Sequence, residues 1–394
     1  MSWAGPYQYN IGRSRSSGLV AREVSFNQSR STLLVLSHLR WSFVYQRPQH
    51  LMSRFADNFN VLFFEEAVLS DEAVAWLEVR QEERGVRVLV PRLPVGNDAA
   101  DSQRVQRELL QNYIAELNVD DLVLWYYTPM ALGITEGLRA RLVIYDCMDE
   151  LSAFRGAPPE LIEHERSLLQ QADLVFTGGY SLWEAKRAHH DSVHAFPSSV
   201  DIAHFSAARS IQTEPRDQQD IPHPRLGFYG VIDERLDIEL IVRLAHLRPQ
   251  WHIVLVGPVV KIEPDSLPQR HNVHYLGGKT YDELPGYLAG WDVAIMPFAL
   301  NESTRFISPT KTPEFLAGGC PVVSTPIKDV VRTYGDTSVV SIAYSPEEFA
   351  AAVENALITA GDRAHFYAAA DAVLGDMSWD QTWALMMEKI ECAI

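Results

Sequence analysis

Cysteine is scarce in this 394-residue chain: Cys147, Cys320 and Cys392 lie far apart, which suggests neither a disulfide framework nor a cysteine-based metal site. No apolar run approaches the roughly 18–20 residues that span a bilayer, and the amino terminus lacks the apolar core of a secretory leader, so the chain reads as cytosolic. Basic residues are in deficit, 34 against 51 acidic, and the net charge of −17 argues against a general nucleic-acid binder. No Gly-x-Gly-x-x-Gly turn follows an expected strand, which speaks against a nicotinamide dehydrogenase. There is no clustered Asp-x-Asp, and Asp120-Asp121 reads as a solvated turn. His189, His190, His194, His204, His246 and His252 show no metal-ligand spacing joined to a carboxylate, so no metal site is expected. No repeat of 20–50 residues is present, which excludes solenoids and propellers.

What is present is a soluble globular composition, 47% apolar and 22% charged, in a length that fits two domains of roughly 150–200 residues. The charge is uneven. Residues 1–60 hold Arg13, Arg15, Arg22, Arg30, Arg40, Arg47 and Arg54 against only Glu23 and Asp57. Such a face suits an anionic membrane or acceptor, and equally suits scattered solvated arginines on a leader.

Residues 1–30 are polar without a steady period and read as a loosely held extension. Short apolar runs then alternate with helix-length segments. The runs are Leu33–Leu36, Val61–Phe64, Val86–Val90, Leu122–Tyr126, Leu142–Tyr145 and Leu174–Phe176; the helices are Pro48–Phe59, Val105–Leu117, Pro159–Ala172 and Ser181–His190. Continuous apolar strands separated by helices predict a parallel sheet covered on both faces, here a first domain over 31–200. Residues 209–224, rich in Gln, Asp and Pro, read as a linker. A second alternating series, Leu226–Tyr229, Ile253–Val256, Val273–Leu276, Val293–Met296, Val322–Ser324 and Val339–Ile342, predicts a second doubly wound domain over 201–376. Thr280-x-x-Glu283 and Ser345-Pro-x-Glu348 read as helix starts. Ser378-x-x-Gln381 opens a last helix, 377–394, assigned to completing the first domain through an apolar face of Trp379, Trp383, Leu385 and Met386. The fold class is thus α/β, with the ligand expected in a cleft between two carboxyl-end crevices.

The densest chemistry lies in Ser308-Pro-Thr-Lys-Thr-Pro-Glu-Phe-Leu-Ala-Gly-Gly-Cys-Pro-Val-Val-Ser-Thr325. Thr312-Pro313 reads as a helix start, with Glu314 in the first turn and Gly318-Gly319 at the end. A phosphate suits that helix end, Lys311 adds a charge, and the Glu314 carboxylate accepts two hydrogen bonds from a vicinal diol such as ribose. The plainer alternative makes Glu314 a complement to the helix dipole and Lys311 a solvated residue.

These residues resemble the nucleotide-sugar-dependent glycosyltransferases of the GT-B fold, two Rossmann-like domains facing a cleft. The likeness is to glycosyltransferase family 4 and its relatives in bacterial envelope polysaccharide synthesis, and it covers nearly the whole chain. Leu226-Gly-Phe-Tyr-Gly-Val-Ile-Asp-Glu-Arg-Leu-Asp237 resembles the family's opening strand, glycine loop and diphosphate-holding basic residues. Ile253-Val-Leu-Val-Gly-Pro258 is similar to its second strand and turn, and Val273-His-Tyr-Leu-Gly-Gly-Lys-Thr-Tyr-Asp-Glu-Leu284 to the segment that meets the nucleobase. Pro309 to Val323 resembles the nucleotide-sugar motif. The resemblance implies donor contacts at Gly230, Arg235, Gly257, Gly277, Lys279, Ser308, Thr310, Lys311 and Glu314. Ser37-His-Leu-Arg-Trp-Ser-Phe-Val-Tyr-Gln-Arg-Pro-Gln-His-Leu-Met-Ser-Arg54 resembles a subset of envelope enzymes. It implies a cleft-lining loop in which Arg40, Gln46, Arg47 and His50 contact acceptor or transferring sugar, with Trp41 and Tyr45 as flat faces. His50 and Arg54 equally fit the solvent side of an amphipathic helix. The chain departs from family 4 in two places. Phe306 stands where an earlier glutamate would contact the donor sugar, a task then left to backbone amides near Arg305–Ser308. Trp125-Tyr-Tyr-Thr-Pro129 replaces a histidine after the fourth strand.

Glycosyl transfer needs the departing diphosphate stabilised, for which Arg235 and Lys311 are the cations, so a divalent metal is dispensable and no cofactor is expected. Asp146 and Asp149, just past an expected strand, are candidates to orient or deprotonate the acceptor; the alternative is that they cap the loop or pair with Arg155. His38 either contacts substrate or satisfies loop backbone. The resulting expectation is a hexosyl transferase, retaining and metal-independent, with a nucleotide sugar as donor (uridine favoured over guanosine) and a glycan or lipid-linked acceptor. It would work in the cytoplasm at the inner face of the plasma membrane, without nucleic acid. The rivals are a nucleotide-sugar epimerase and a silent nucleotide-sugar-binding protein.

Overall fold

The computed structural model describes residues 26–394 apart from 97, 264, 266, 360 and 376, so Arg13, Arg15 and Arg22 lie outside the described residues. Packing divides the chain into two units. One holds the chain up to Cys147 with Ala157–Phe176 and Met387–Ile394; the other holds Met148–Gly156 and Thr177–Met386.

The first unit is built on β1 (Thr32–Ser37), β2 (Asn60–Glu65), β3 (Val68–Ser70), β4 (Trp76–Gln81), β5 (Arg87–Pro94), β6 (Leu122–Tyr126), β7 (Leu142–Cys147) and β8 (Leu174–Thr177). With β9 (Val193–Ala195), an edge strand that falls in the stretch counted with the second unit, the sheet order is β3-β5-β2-β1-β6-β7-β8-β9, with β4 on β5. Strand β1 is central, Leu33 lying opposite Val61 of β2 and Val123 of β6 in parallel register. Leu33 to Leu36 are fully buried, as continuous apolar strands covered on both faces must be. The expected strands are all there. The sheet is not wholly parallel, however: β4 runs antiparallel to β5, with its Glu78 and Arg80 on a half-exposed edge. Helices α1 (Arg47–Phe55), α2 (Ala99–Glu116) and α3 (Glu160–Gln171) accompany the sheet. Helix α1 opens with Pro48 in its first turn and a reciprocal Gln46/Gln49 cap, and Phe55 packs 5.2 Å from Trp125.

The second unit has six parallel strands: β10 (Arg225–Tyr229), β11 (His252–Val256), β12 (Val273–Tyr275), β13 (Val293–Met296), β14 (Val322–Ser324) and β15 (Val340–Ile342). Their order is β12-β11-β10-β13-β14-β15, which reverses direction between β10 and β13, the position where open α/β sheets bind ligands. Its helices are α4 (Tyr180–Lys186), α5 (Ile202–Ser206), α6 (Ile238–Leu247), α7 (Leu284–Ala289), α8 (Lys311–Ala317), α9 (Lys328–Tyr334), α10 (Pro346–Thr359), α11 (Arg363–Leu374) and most of α12 (Trp379–Ala393). The three helix-start signals hold: Thr280 and Glu283 cap reciprocally at 2.8 Å, Glu348 N–H donates to Ser345 Oγ at 3.2 Å, and Gln381 N–H to Ser378 Oγ at 3.1 Å.

The stretch read as a linker is instead packed into this unit. Gln218 is fully buried, accepting from Trp291 Nε1 at 2.9 Å and donating to the Tyr287 carbonyl at 3.0 Å. Arg225 is buried under the same segment, donating to the Ile221 and Gln219 carbonyls and pairing with Glu214. Polar composition marked this segment as loose, but its amide and carboxylate groups are the partners of a buried strand arginine. Among the described residues no helix is long and apolar enough to cross a membrane.

Candidate functional site

At the carboxyl ends of the three neighbouring strands β10, β11 and β12 stand Gly230, Gly257 and Gly277, with φ of +150°, +152° and +70°. Gly257 admits no side chain, since a Cβ there would fall on the Gly230 carbonyl oxygen. Backbone bonds run across the three turns, from Gly230 N–H to Val256 O at 2.9 Å and from Gly257 N–H to Gly277 O at 2.8 Å. The turns therefore form one stitched rim. A Cβ added to Gly230 would lie 3.5 Å from Lys311 Cε, which sets α8 directly above the rim.

Helix α8 begins at Lys311, with Thr310 as its cap residue, rather than at the Thr312-Pro313 pair. Neither threonine hydroxyl caps a backbone amide: Thr310 Oγ1 accepts from Lys311 Nζ at 2.9 Å, and Thr312 is fully buried with its Oγ1 unpartnered. Gly319 makes the left-handed turn at the far end, at φ +82°. Lys311 Nζ lies 3.5 Å from Glu314 Oε2 and 5.5 Å from the centre of the Tyr229 ring. Glu314 is not a surface complement to a helix dipole, being only 5% exposed with its Oε2 lacking a hydrogen-bond partner. Burial raises its pKa, opposed by the Lys311 charge and the Tyr229 hydroxyl. A buried carboxylate oxygen without a hydrogen bond is costly to fold even beside the Lys311 charge, so it marks a place where a ligand donor fits. A ribose diol, two adjacent O–H donors, matches that acceptor.

Arg235 follows the Gly230 turn. Its Nε and Nη2 bind the Asp233 carboxylate at 2.9 and 2.7 Å, fixing the guanidinium as a planar fork. Burial works against its charge, but Asp233, then Asp149 and Glu234, keep it firmly protonated. The loop after β7 joins this cluster: Phe154 lies 5.7 Å from the Arg235 guanidinium and 5.8 Å from Lys261 Nζ, and Arg155 N–H donates to Glu234 at 3.1 Å. Asp149, expected on the first domain, thus packs with the second unit beside Arg235, and the Arg155 backbone is taken by Glu234. Lys279 is tied to Asp217 at 2.6 Å and covers the Tyr287 ring, while the Ser308 carbonyl accepts from Ser198 Oγ at 2.6 Å. Among the described residues no group of three or more His, Cys, Asp or Glu is placed to hold a metal ion.

The residues expected to meet the acceptor are for the most part committed elsewhere. Asp146 is fully buried and accepts two bonds from Arg47, from Nε at 3.0 Å and Nη2 at 2.8 Å, so the two are held together in an internal ion pair. Burial raises the Asp146 pKa and Arg47 opposes it. Arg40 binds Glu65 at 3.1 Å and the Glu66 carbonyl at 2.5 Å; Trp41 donates its N–H to Glu65 at 2.8 Å and packs edge-on to Phe63. Gln46 is a helix cap. His50 is buried rather than on the solvent side of its helix, and sits edge-on to Tyr45 at 4.6 Å. His38 is half-buried just past β1. Arg30 and Arg54 donate to the Ala56 and His50 carbonyls. Of the four described amino-terminal arginines, Arg40 and Arg47 are thus paired with carboxylates, while Arg30 and Arg54 bond backbone carbonyls. Sequence reasoning missed Tyr229, Asp233 and Phe154; of these only Asp233 carried a signal, an acid two residues before the phosphate-loop arginine.

Solved structures with this architecture include sucrose-phosphate synthase from Thermosynechococcus elongatus, at TM-score 0.68 and 14% identity over 92% of this chain and 98% of that one. Another is HepE from Anabaena in complex with UDP and glucose, at 0.65 and 16% over 92% and 100%. The chain has the GT-B fold of these enzymes. Residues 223–359, which carry the glycine rim, Arg235, Lys311 and Glu314, match the family model of glycosyl transferases group 1. The Bacillus subtilis protein TuaH, assigned a glycosyltransferase role in teichuronic acid biosynthesis, is 28% identical over 229 residues, 54% of this chain and 57% of TuaH. The match thus spans little more than half the length of that curated relative.

Proposed function

We propose that the protein transfers a hexosyl group from a UDP-sugar to a glycan or lipid-linked acceptor in bacterial envelope polysaccharide synthesis. The observation that carries this reading is the buried Glu314 carboxylate, its Oε2 paired with Lys311 but without a hydrogen bond, at the switch point of the second sheet. In this reading Glu314 takes the ribose diol, Lys311 and Arg235 hold the diphosphate, and the rim at Gly230, Gly257 and Gly277 lets the donor approach the backbone. As the glycosidic bond breaks, negative charge grows on the diphosphate, and two prearranged cations stabilise it without a metal. In this reading the reaction is retaining, with the departing phosphate accepting the acceptor's proton and Asp149 orienting the acceptor. UDP rather than GDP is supported by the UDP complex of HepE, and the acceptor class by TuaH. Contact with an anionic membrane, if the acceptor is lipid-linked, rests on Arg13, Arg15 and Arg22.

The test is a thermal-shift screen of nucleoside diphosphates, in which a ligand at a hundredfold excess over its Kd stabilises by ~2.7 kcal/mol. A product assay with UDP-hexoses and glycan acceptors follows. A glycosylated product with retained anomeric configuration is expected; an isomerised UDP-sugar formed without acceptor identifies an epimerase and overturns the proposal.

A further inference from the structure

Beside Glu314 stands a second buried polar atom without a partner, the hydroxyl of Tyr229. Tyr229 is the last residue of β10, 1% exposed, and directly precedes Gly230 of the rim. Its ring is locked on several sides: stacked with Phe205 at 6.1 Å and 15°, edge-on to Phe315 at 4.8 Å, and tilted against Trp291 at 5.6 Å. Phe315 is the neighbour of Glu314 in sequence, and Lys311 Nζ touches both the Tyr229 ring face and Glu314 Oε2. A core position of this kind is ordinarily phenylalanine, as at Phe228 and Phe315, because a buried hydroxyl without a partner costs stability.

We infer that Tyr229 is a positioning residue for nucleotide recognition: its hydroxyl faces the Glu314 carboxylate from the core side and fixes the orientation in which that carboxylate receives the ribose 2′- and 3′-hydroxyls. The inference rests on the proposed role of Glu314. A carboxylate on a flexible stem rotates, and two hydrogen bonds to a rigid diol form together only in one orientation. Lys311 Nζ approaches Oε2 at 3.5 Å, so the Tyr229 hydroxyl is the second point that defines the plane. Burial pushes the Tyr229 phenol far above its usual pKa, with the Glu314 charge adding to the effect, so it stays a donor at any working pH.

The experiment compares UDP with 2′,3′-dideoxy-UDP by calorimetry on the full chain. Tyr229→Phe keeps the ring and its packing. Wild type is expected to prefer UDP by ~10–100-fold, and Tyr229→Phe to lose ~10-fold of that preference while its affinity for dideoxy-UDP stays unchanged. Equal weakening toward both ligands marks a packing role and overturns the inference, as does an unchanged preference. Glu314→Gln, run in parallel, separates the two readings. If it abolishes the preference and Tyr229→Phe does not, only the inference fails; if it leaves the preference intact, or if wild type binds no UDP, the reading of Glu314 fails and the inference with it. Should Tyr229→Phe not fold, Tyr229→3-fluorotyrosine, a stronger donor of nearly the same shape, must tighten UDP more than dideoxy-UDP; an equal change in both overturns the inference.

Discussion

Arg47 and Asp146 meet in the interior of the first unit, ninety-nine residues apart in sequence, through two charge-assisted hydrogen bonds of 3.0 and 2.8 Å. The pair joins the first turn of α1 to the end of β7 and is almost wholly removed from solvent. Breaking one side leaves an uncompensated buried charge. Arg47→Ala should therefore destabilise by about 3–5 kcal/mol, and Asp146→Asn by a comparable amount, as read by urea unfolding. Folded Asp146→Asn protein should keep its turnover; a selective loss of kcat with unchanged stability would return Asp146 to the chemistry.

Glu314 is likewise a buried carboxylate whose folded pKa lies above its unfolded value, but it has no bidentate arginine partner. The folded chain therefore binds this proton more tightly. Its contribution to stability is full below the unfolded value, about 4.3, and is lost as pH rises through the raised folded value. Glu314→Gln should unfold at the same or a higher temperature than wild type at neutral pH, with the gap closing on acidification to pH ~4. At the same time it should lose about 1.5–3 kcal/mol of UDP binding. Full UDP affinity in this variant would be incompatible with a diol-binding role.

Lys311 and Arg235 differ in how they are held, one by a single flexible stem and the other by a bidentate clasp on Asp233. Both are expected to act on charge that grows toward the transition state, so Lys311→Ala and Arg235→Ala should lower kcat more than they weaken donor binding. Asp233→Asn should resemble a mild version of Arg235→Ala, because it loosens the guanidinium without removing it. Turnover should persist in EDTA. An absolute need for added magnesium or manganese sinks the metal-free scheme.

Asp149, the carboxylate proposed to act on the acceptor, lies beside Arg235. Asp149→Asn should leave UDP affinity within error and lower turnover at saturating donor, by ~10²–10⁴ if the carboxylate is a base and by less if it only orients the acceptor. Wild-type turnover with a verified acceptor would move the acceptor chemistry to other residues.

The strands were legible because fully buried parallel strands are written as unbroken apolar runs; Val293–Met296 and Val322–Ser324 match at both ends. Strand β4 escaped because it is half-exposed and carries Glu78 and Arg80, and a charged edge strand has no such signature. In the site, Lys311 and Glu314 were legible as a local pattern. Arg47 was not, since its partner is remote and a buried ion pair leaves no trace in either residue's neighbourhood. Tyr229 was hidden for another reason: in sequence it is one more aromatic in a core strand, and only the neighbouring carboxylate distinguishes its hydroxyl from an accident of packing.

Residues 387–394 pack with the first unit, although 177–386 between them belong to the second. On a ribosome, the part of the molecule made first is therefore the last to be finished: its closing segment emerges only after the whole second sheet has been synthesised. Neither half is a continuous piece of chain. A shortened gene ending at the second sheet would leave the early unit without the segment 387–394 that packs with it.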